Sequence, residues 1–584
     1  MGLSSEAVLA EVRLLVTAAG IPQSELARLS GVSQSVISRI ATGRSKRVNS
    51  ATLKKLGDAI EHDFLEADGD RLLRSSLDWA LRHIKKQRDT DLLPRPFEFR
   101  SLEQAWPSVR VALAAIDLSE YVPSEPRHFL VPKQANGLAL RRITQLDPID
   151  ALLYAAIVYE ARELIEEARA PRNVACSWRL NTPLEELGFV SRDEAVLFTS
   201  GRDEFESATR KLALQGENAL VLEADISDFY NQISHEVLRR SLEDVGVSPD
   251  RAANLTRILR GISGGRDRGI PVGPHPSALL AECMLIGVDR FLTRKGARFT
   301  RFNDDFRIFC SSEQEARLWL HALAHHLTLS YGLSLNEKTE LRASSNLLVE
   351  ASIDYGDRPD PRRAKRGRNL GPHKRSFERM AQDEFRELSV LTPLPRIRAE
   401  RLFNSAPGGS LDKLLLAKGE NWSRYAPVLG EFVRYLMRSP RGKSPKNIGR
   451  RLIKLGSDSE LSHLPFVKLW VAQAITTVFA DELEQEADEF CGFVESAGEA
   501  GLGLRPTAQL AANRGYREWV RSYSKRWSSR STWERRALLH AAKSLSLGER
   551  TEWEEEALRV GLVEATLARS YLSGQEPQES EFED

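Results

Sequence analysis

The chain has 584 residues, too many for one hydrophobic core, and this length predicts about three or four domains. Its 83 Lys and Arg offset its 82 Asp and Glu, so a net charge of +1 excludes a globally basic or acidic binder and leaves local clustering as the informative signal. No apolar run reaches membrane-spanning length and no signal peptide is evident, while Cys176, Cys283, Cys310 and Cys491 are too scattered for a zinc site and fit a reducing cytoplasm.

The stretch "IPQSELARLSGVSQSVISRIATGRSKRVNSATLKKLGDAI" from Ile21 to Ile60 opens the chain's organisation. Leu26, Ala27 and Leu29 line one helix, Gly31 makes a turn, Ser33 is placed to cap a second helix, and Val36, Ile37 and Ile40 seat that helix on a core. The pattern resembles the helix-turn-helix of the Cro and phage-repressor kind, expected over residues 1–66. That resemblance implies a recognition helix presenting Gln34, Ser35 and Arg39 to a duplex, with Arg44, Lys46 and Arg47 at phosphates. The same bundle can also dock on RNA or protein.

Residues 67–110 read as a helical connector that ends in "DTDLLPRPFEF", where Pro94 and Pro96 break the helix. Residues 111–350 alternate short β-rich runs with amphipathic helices, an α+β pattern, and residues 351–420 form a basic connecting region containing "PRRAKRGRNLGPHKR". Residues 421–572 are almost wholly helical. Ser531 with Glu534 and Thr551 with Glu554 are expected capping boxes, and two Trp-led segments, at Trp533 and Trp553, suggest stacked helical pairs. The last stretch, 573–584, is acidic and nearly free of apolar side chains, which predicts a disordered tail.

Chemistry concentrates in the α+β region. In "ALVLEADISDFYNQISH" an apolar strand ends on Asp225. "GIPVGPHPSALLAECML" sets a Gly/Pro turn, able to approach a ligand closely, before an apolar helix. "RFTRFNDDFRIFC" reads as a β-hairpin whose tip carries Asp304 and Asp305 between aromatic flanks. Two adjacent acids among groups that prefer burial call for a cation. "YGLSLNEKTEL" then places Lys338 after a short strand.

In this order the four segments resemble motifs A to D of reverse transcriptases, which implies a right-hand polymerase with fingers and palm inside a multidomain, mainly α protein. The resemblance implies RNA-directed DNA polymerase activity by two-metal-ion nucleotidyl transfer, with Mg²⁺, or Mn²⁺, held by Asp225, Asp304, Asp305 and the carbonyl of Ile226. It further implies Lys338 beside the leaving pyrophosphate and Tyr230 as a steric gate under the sugar. Lys133, Arg141, Arg142, Arg179, Pro271 and Gly273 then fall near the nucleotide, and Arg362, Arg363, Lys365 and Arg366 near a nucleic-acid backbone.

Motif B here reads Gly-Ile-Pro-Val-Gly-Pro, with Val272 where many family members carry Gln. This form, together with the long helical C-terminus, resembles the abortive-infection and other defence-associated bacterial reverse transcriptases. The expected partners are an RNA template, a DNA product and dNTPs, with a dedicated non-coding RNA, duplex DNA at the helix-turn-helix and self-association open, and no membrane. Two alternatives stay open: a template-independent or protein-primed nucleotide polymerase, and a DNA-binding regulator or scaffold with an inactive polymerase fold.

Overall fold

The computed structural model describes residues 8–9, 12–18, 21, 23–44, 48–61, 71–90, 93–132, 140–180, 201–347, 453, 457, 465–477, 487–497, 513–524 and 530–572. The expected basic region at 351–420, the acidic tail, and the nominated Lys46, Arg47, Lys133, Arg362, Arg363, Lys365 and Arg366 lie outside them.

Helices α1 (Gln23–Ser30), α2 (Gln34–Ala41) and α3 (Ser50–Glu61) follow a one-turn π-helix, Leu14–Ala18. Gly31, at φ 61°, makes the turn between α1 and α2. Leu26, Val32, Ile37, Ile40 and Leu56 fill the bundle's core with Val12 and Leu15. Ser33 holds the expected position before α2 but does not cap it: its hydroxyl meets that of Ser35 at 3.2 Å instead of a backbone N–H. Three more helices follow, α4 (Arg74–Gln87), α5 (Glu98–Gln104) and α6 (Trp106–Ala114), with Pro94 and Pro96 between α4 and α5. The boundary expected after residue 110 falls inside α6. Val111 and Ala112 of α6 complete the core of the N-terminal bundle, while Val109 and Leu113 on the other side of the helix join the main core.

Strands β1 (Arg127–Pro132) and β2 (Leu140–Gln145) form a separate antiparallel pair, Arg127 facing Gln145 and Pro132 facing Leu140. The long helix α7 (Pro148–Ala168) starts on Pro148, with Asp147 accepting from the Ile149 N–H at 3.0 Å. After α8 (Gly201–Ala213) comes β3 (Leu220–Asp225). The short α9 (Phe229–Gln232) leads into α10 (His235–Asp244), α11 (Pro249–Ile262) and the buried α12 (His275–Arg294). Strands β4 (Arg298–Phe302) and β5 (Asp305–Cys310), helix α13 (Glu313–His326) and strand β6 (Glu340–Ala343) finish the region. Its four-stranded antiparallel sheet runs in the order β4-β5-β3-β6.

Strand alternation sorts the sheet's two faces. Leu222 and Ile308, paired across β3 and β5, join the main core, whereas the next pair, Val221 and Phe309, turn to a small cluster with Ala213 and Leu347. The last pair of this ladder, Asp225 with Asp305, lies at the sheet's rim.

The C-terminal helices are α14 (Pro465–Thr477), α15 (Ala487–Ala497), α16 (Arg514–Ser524), α17 (Thr532–Ala541), α18 (Leu547–Val560) and α19 (Leu562–Leu572). Ser531 and Glu534 form the expected capping box, at 3.0 and 3.3 Å. The second box is displaced: Glu549 accepts from Ser546 N–H at 3.0 Å, so Thr551 lies within α18 and not before it. Trp533 therefore stands in the first turn of α17 and Trp553 in the middle of α18, positions that do not correspond as repeat units would. These helices share the main core with α4, α5 and α7, and α19 packs against α5.

Candidate active site

Asp225 is the last residue of β3 and pairs with Asp305, the first of β5, so two carboxylates from central neighbouring strands meet at one rim. Phe302 pairs with Asp305 across the turn, which puts Asp304 at the tip. Asn303 makes the turn possible by adopting φ 55°, a left-handed conformation that Asn tolerates better than most residues. Its side-chain amide donates to Asp304 Oδ1 at 2.9 Å.

The acids disturb one another as like charges must. Burial, then Asp225 and Asp305, push the Asp304 carboxyl up to about 7, and burial followed by Asp225 raises Asp305. Arg141 counters part of this at Asp304. A site that holds a proton on one of its carboxylates near neutrality has a deficit of positive charge, and hard oxygen donors of this kind fit Mg²⁺. Among the described residues no three acidic, His or Cys side chains are placed to hold a metal ion together, and Mg²⁺ is commonly held by one or two carboxylates with water and substrate oxygens as the remaining ligands.

A buried ionic cluster fixes the tip from below. Arg301, Glu282 and Asp289 have fully buried side chains; Arg301 donates to Asp289 at 2.8 and 2.6 Å, to Glu282 at 3.1 and 2.9 Å, and to the Asn303 carbonyl at 2.8 Å. Arg169 binds Glu282 from another side at 2.6 Å. Ser177 donates to Glu282 and accepts the Asn303 N–H, the latter at 2.7 Å. Asn303 is thus held through its N–H and its carbonyl at once.

Asp225 has its own anchor, which sequence reading missed. Asn336 donates its backbone N–H to the Asp225 carbonyl at 2.7 Å and its side-chain amide to Asp225 Oδ2 at 3.0 Å. The available signal was an Asn two residues before the nominated lysine. Ile226, buried, is bridged to Leu335 just beyond. Lys338 is exposed and precedes β6 in a turn instead of following a strand; its N–H reaches Asn336 Oδ1 at 3.2 Å.

Tyr230 is half-buried beside this rim, its phenol pushed up by burial and by the charge of Asp304. Its carbonyl accepts from Ile270 N–H at 2.9 Å, tying it to the Gly-Pro turn. Pro271 is buried there, and Gly273 adopts φ 120° with Thr90 Oγ1 only 2.6 Å from where a Cβ would stand, so no other residue fits without displacement. The Val272 carbonyl accepts from Thr144 N–H at 2.9 Å, linking the turn to β2. Arg141 is exposed on β2 and Arg142 half-buried, with burial and the nearby Arg266 lowering the latter. Arg179 is different. Its guanidinium donates to the Ala175 carbonyl at 2.8 Å, to Glu166 at 3.0 Å and to Ala170, with 6 % of the side chain exposed. Its Nε, Nη1 and Nη2 each donate within the protein.

On the N-terminal bundle, Gln34, Ser35, Arg39 and Arg44 are exposed, and Arg39 Nε donates back to the Ser35 carbonyl at 3.3 Å.

Residues 180–371 match the family model described as reverse transcriptase (RNA-dependent DNA polymerase), and residues 9–61 match a helix-turn-helix model. The reverse transcriptase domain spans Asp225, Asp304, Asp305 and Lys338, and it implies RNA-directed DNA polymerase activity. Among solved structures, telomerase from Candida albicans in complex with a TWJ fragment of telomeric RNA is 13 % identical over 80 % of this chain and 79 % of that chain, with a TM-score of 0.26. No curated protein matches the chain.

Proposed function

We propose that Asp225, Asp304 and Asp305 form the catalytic centre of an RNA-templated DNA polymerase that extends a primer with dNTPs, and that it serves bacterial antiphage defence. The observation that carries the chemistry is the pairing of Asp225 with Asp305 at one rim, with Asp304 beside them at about 7. In nucleotidyl transfer the primer 3′-oxygen attacks the α-phosphorus, the bond to pyrophosphate breaks, and the hydroxyl proton is lost. Two Mg²⁺ ions, or Mn²⁺, would supply there the positive charge that favours both the attacking and the leaving oxygen. The residues present fit them through carboxylate oxygens, with Asn336 fixing Asp225 and Asn303 orienting Asp304.

In this reading Arg141 offers its charge toward the triphosphate, and Arg142 stands next to it on the same strand. Tyr230 lies beneath the sugar and excludes a 2′-hydroxyl. Lys338 serves the departing pyrophosphate, and the exposed face of α2 contacts duplex DNA. The defence role is supported by the resemblance of the "GIPVGP" turn and the helical C-terminal extension to defence-associated relatives.

The test uses the full-length chain with an RNA template, a DNA primer, dNTPs and Mg²⁺. Templated incorporation by wild type and none by Asp225→Asn supports the reading. Incorporation that ignores template sequence favours the untemplated alternative, and wild-type inactivity on every template favours the scaffold. Phage challenge of cells carrying wild type or Asp225→Asn tests the biological half: equal survival with both rules out defence by synthesis.

A further inference from the structure

The β1–β2 pair stands apart from the four-stranded sheet, and a two-stranded ribbon by itself is marginally stable in water. Something must brace it if Arg141 is to keep a fixed position within electrostatic reach of Asp304. One bond comes from the Gly-Pro turn, through Thr144 and Val272. The rest come from the ribbon's base, and most of them lead to one turn of α17.

Arg127, first residue of β1, is buried with its guanidinium 3.8 Å from the centre of the Trp533 ring. It also donates to Gln145, its partner across the ladder, and Gln145 in turn donates to Asp89 at 3.2 Å and to the Pro94 carbonyl at 3.0 Å. Three residues after Trp533, Arg536 makes an ion pair with Asp147 at 2.6 Å and a second contact with Glu564 of α19 at 2.9 Å. Asp147 follows β2 by two residues and caps α7. Trp533 and Arg536, spaced to share one helix face, therefore grip the first residue of β1 and the exit of β2. Arg536 also lies 5.4 Å from the Trp533 ring, so both cations flank the same indole.

We propose that Trp533 and Arg536 are positioning residues for polymerisation: through Arg127 and Asp147 they set the ribbon's height over the acids and so control how tightly the incoming dNTP is held. The proposal rests on the polymerase reading above and deepens it, by making the C-terminal helices part of the nucleotide site. Cation–π contacts of this kind weaken little when shielded from water, and losing one shifts the ribbon without touching any reacting atom. The effect therefore belongs in KM for dNTP more than in kcat.

Trp533→Ala and Trp533→Phe test it in the full-length chain, with Phe keeping an aromatic face for Arg127. Primer extension should show KM for dNTP raised about tenfold in Trp533→Ala, kcat within about twofold, and recovery in Trp533→Phe. Amide hydrogen exchange over residues 127–145 is the second readout and needs no activity. It should speed up in Trp533→Ala and return toward wild type in Trp533→Phe. Unchanged KM with unchanged exchange overturns the proposal, as does a fall in kcat alone that Phe does not rescue. If wild type itself incorporates no nucleotide, the polymerase reading fails, and unchanged exchange would then independently remove the bracing role.

Discussion

Asp304 and Asp305 sit in a turn whose backbone already carries an Asn, so replacing both with Asn removes charge while leaving the shape acceptable. Incorporation of dNTPs should fall to background, with thermal stability kept or raised because the repulsion among three acids is gone; primer extension and a melting curve check both. Tyr230→Ala should change the preference for dNTP over rNTP by about ten- to a hundredfold if the ring lies under the sugar, measured by competing the two substrates. Away from the acids, Asp89 provides a pH signature. Burial raises it to about 6 from an ordinary 3.8, so the folded chain keeps a proton that the unfolded chain has lost. This group's stabilising contribution is full below pH 3.8 and is lost as pH rises through about 6. Asp89→Asn should therefore flatten stability between those values, and the difference in melting temperature from wild type should shift toward the variant as pH rises from 3.8 through about 6 and level off above that.

At the level of elements, the hairpin β4–β5 and its acids were legible because alternation in "RFTRFNDDFRIFC" states which face is buried and Asn303 states where the chain turns. What holds the hairpin was not. Arg301 reads as an ordinary strand residue, yet it is fully buried because Glu282 and Asp289 come to it from α12, and nothing in local spacing announces a partner on another element. The same blindness hid Asn336, whose partner lies 111 residues away, and the bonds that Arg179 gives to Glu166 and two carbonyls. Caps failed more narrowly: both Ser546 and Thr551 precede a Glu by three residues, and only packing decided which pair starts α18. Removing a partner from the buried cluster leaves charges uncompensated, so Arg301→Leu should cost about 3–5 kcal/mol in denaturant unfolding. Asn336→Ala should instead leave folding nearly intact and raise the Mg²⁺ concentration needed for activity by about ten- to a hundredfold.

Across the whole molecule, the N-terminal bundle is less separable than its sequence suggests. The sequence ends the helix-turn-helix unit at residue 66, but Val111 and Ala112 of α6 belong to the bundle's core and Leu562 of α19 packs on it. A duplex held on α2 would therefore lie in a set orientation to the acids. Arg39→Ala with Arg44→Ala should weaken duplex binding and lower its salt slope by about two, while primer extension on a supplied substrate changes by no more than about twofold. Filter binding at two salt concentrations beside an extension assay checks it; loss of extension with unaltered duplex binding would make the bundle an assembly element. The π-turn Leu14–Ala18 packs against α18 and α19, near the opposite end of the described chain. During synthesis at about 5–20 residues per second, that turn leaves the ribosome roughly half a minute to two minutes before its seat exists. Leu14, fully covered in the finished protein, spends that interval exposed. Helices α18 and α19 are thus the ones that end this turn's exposure to chaperones, proteases and wrong partners.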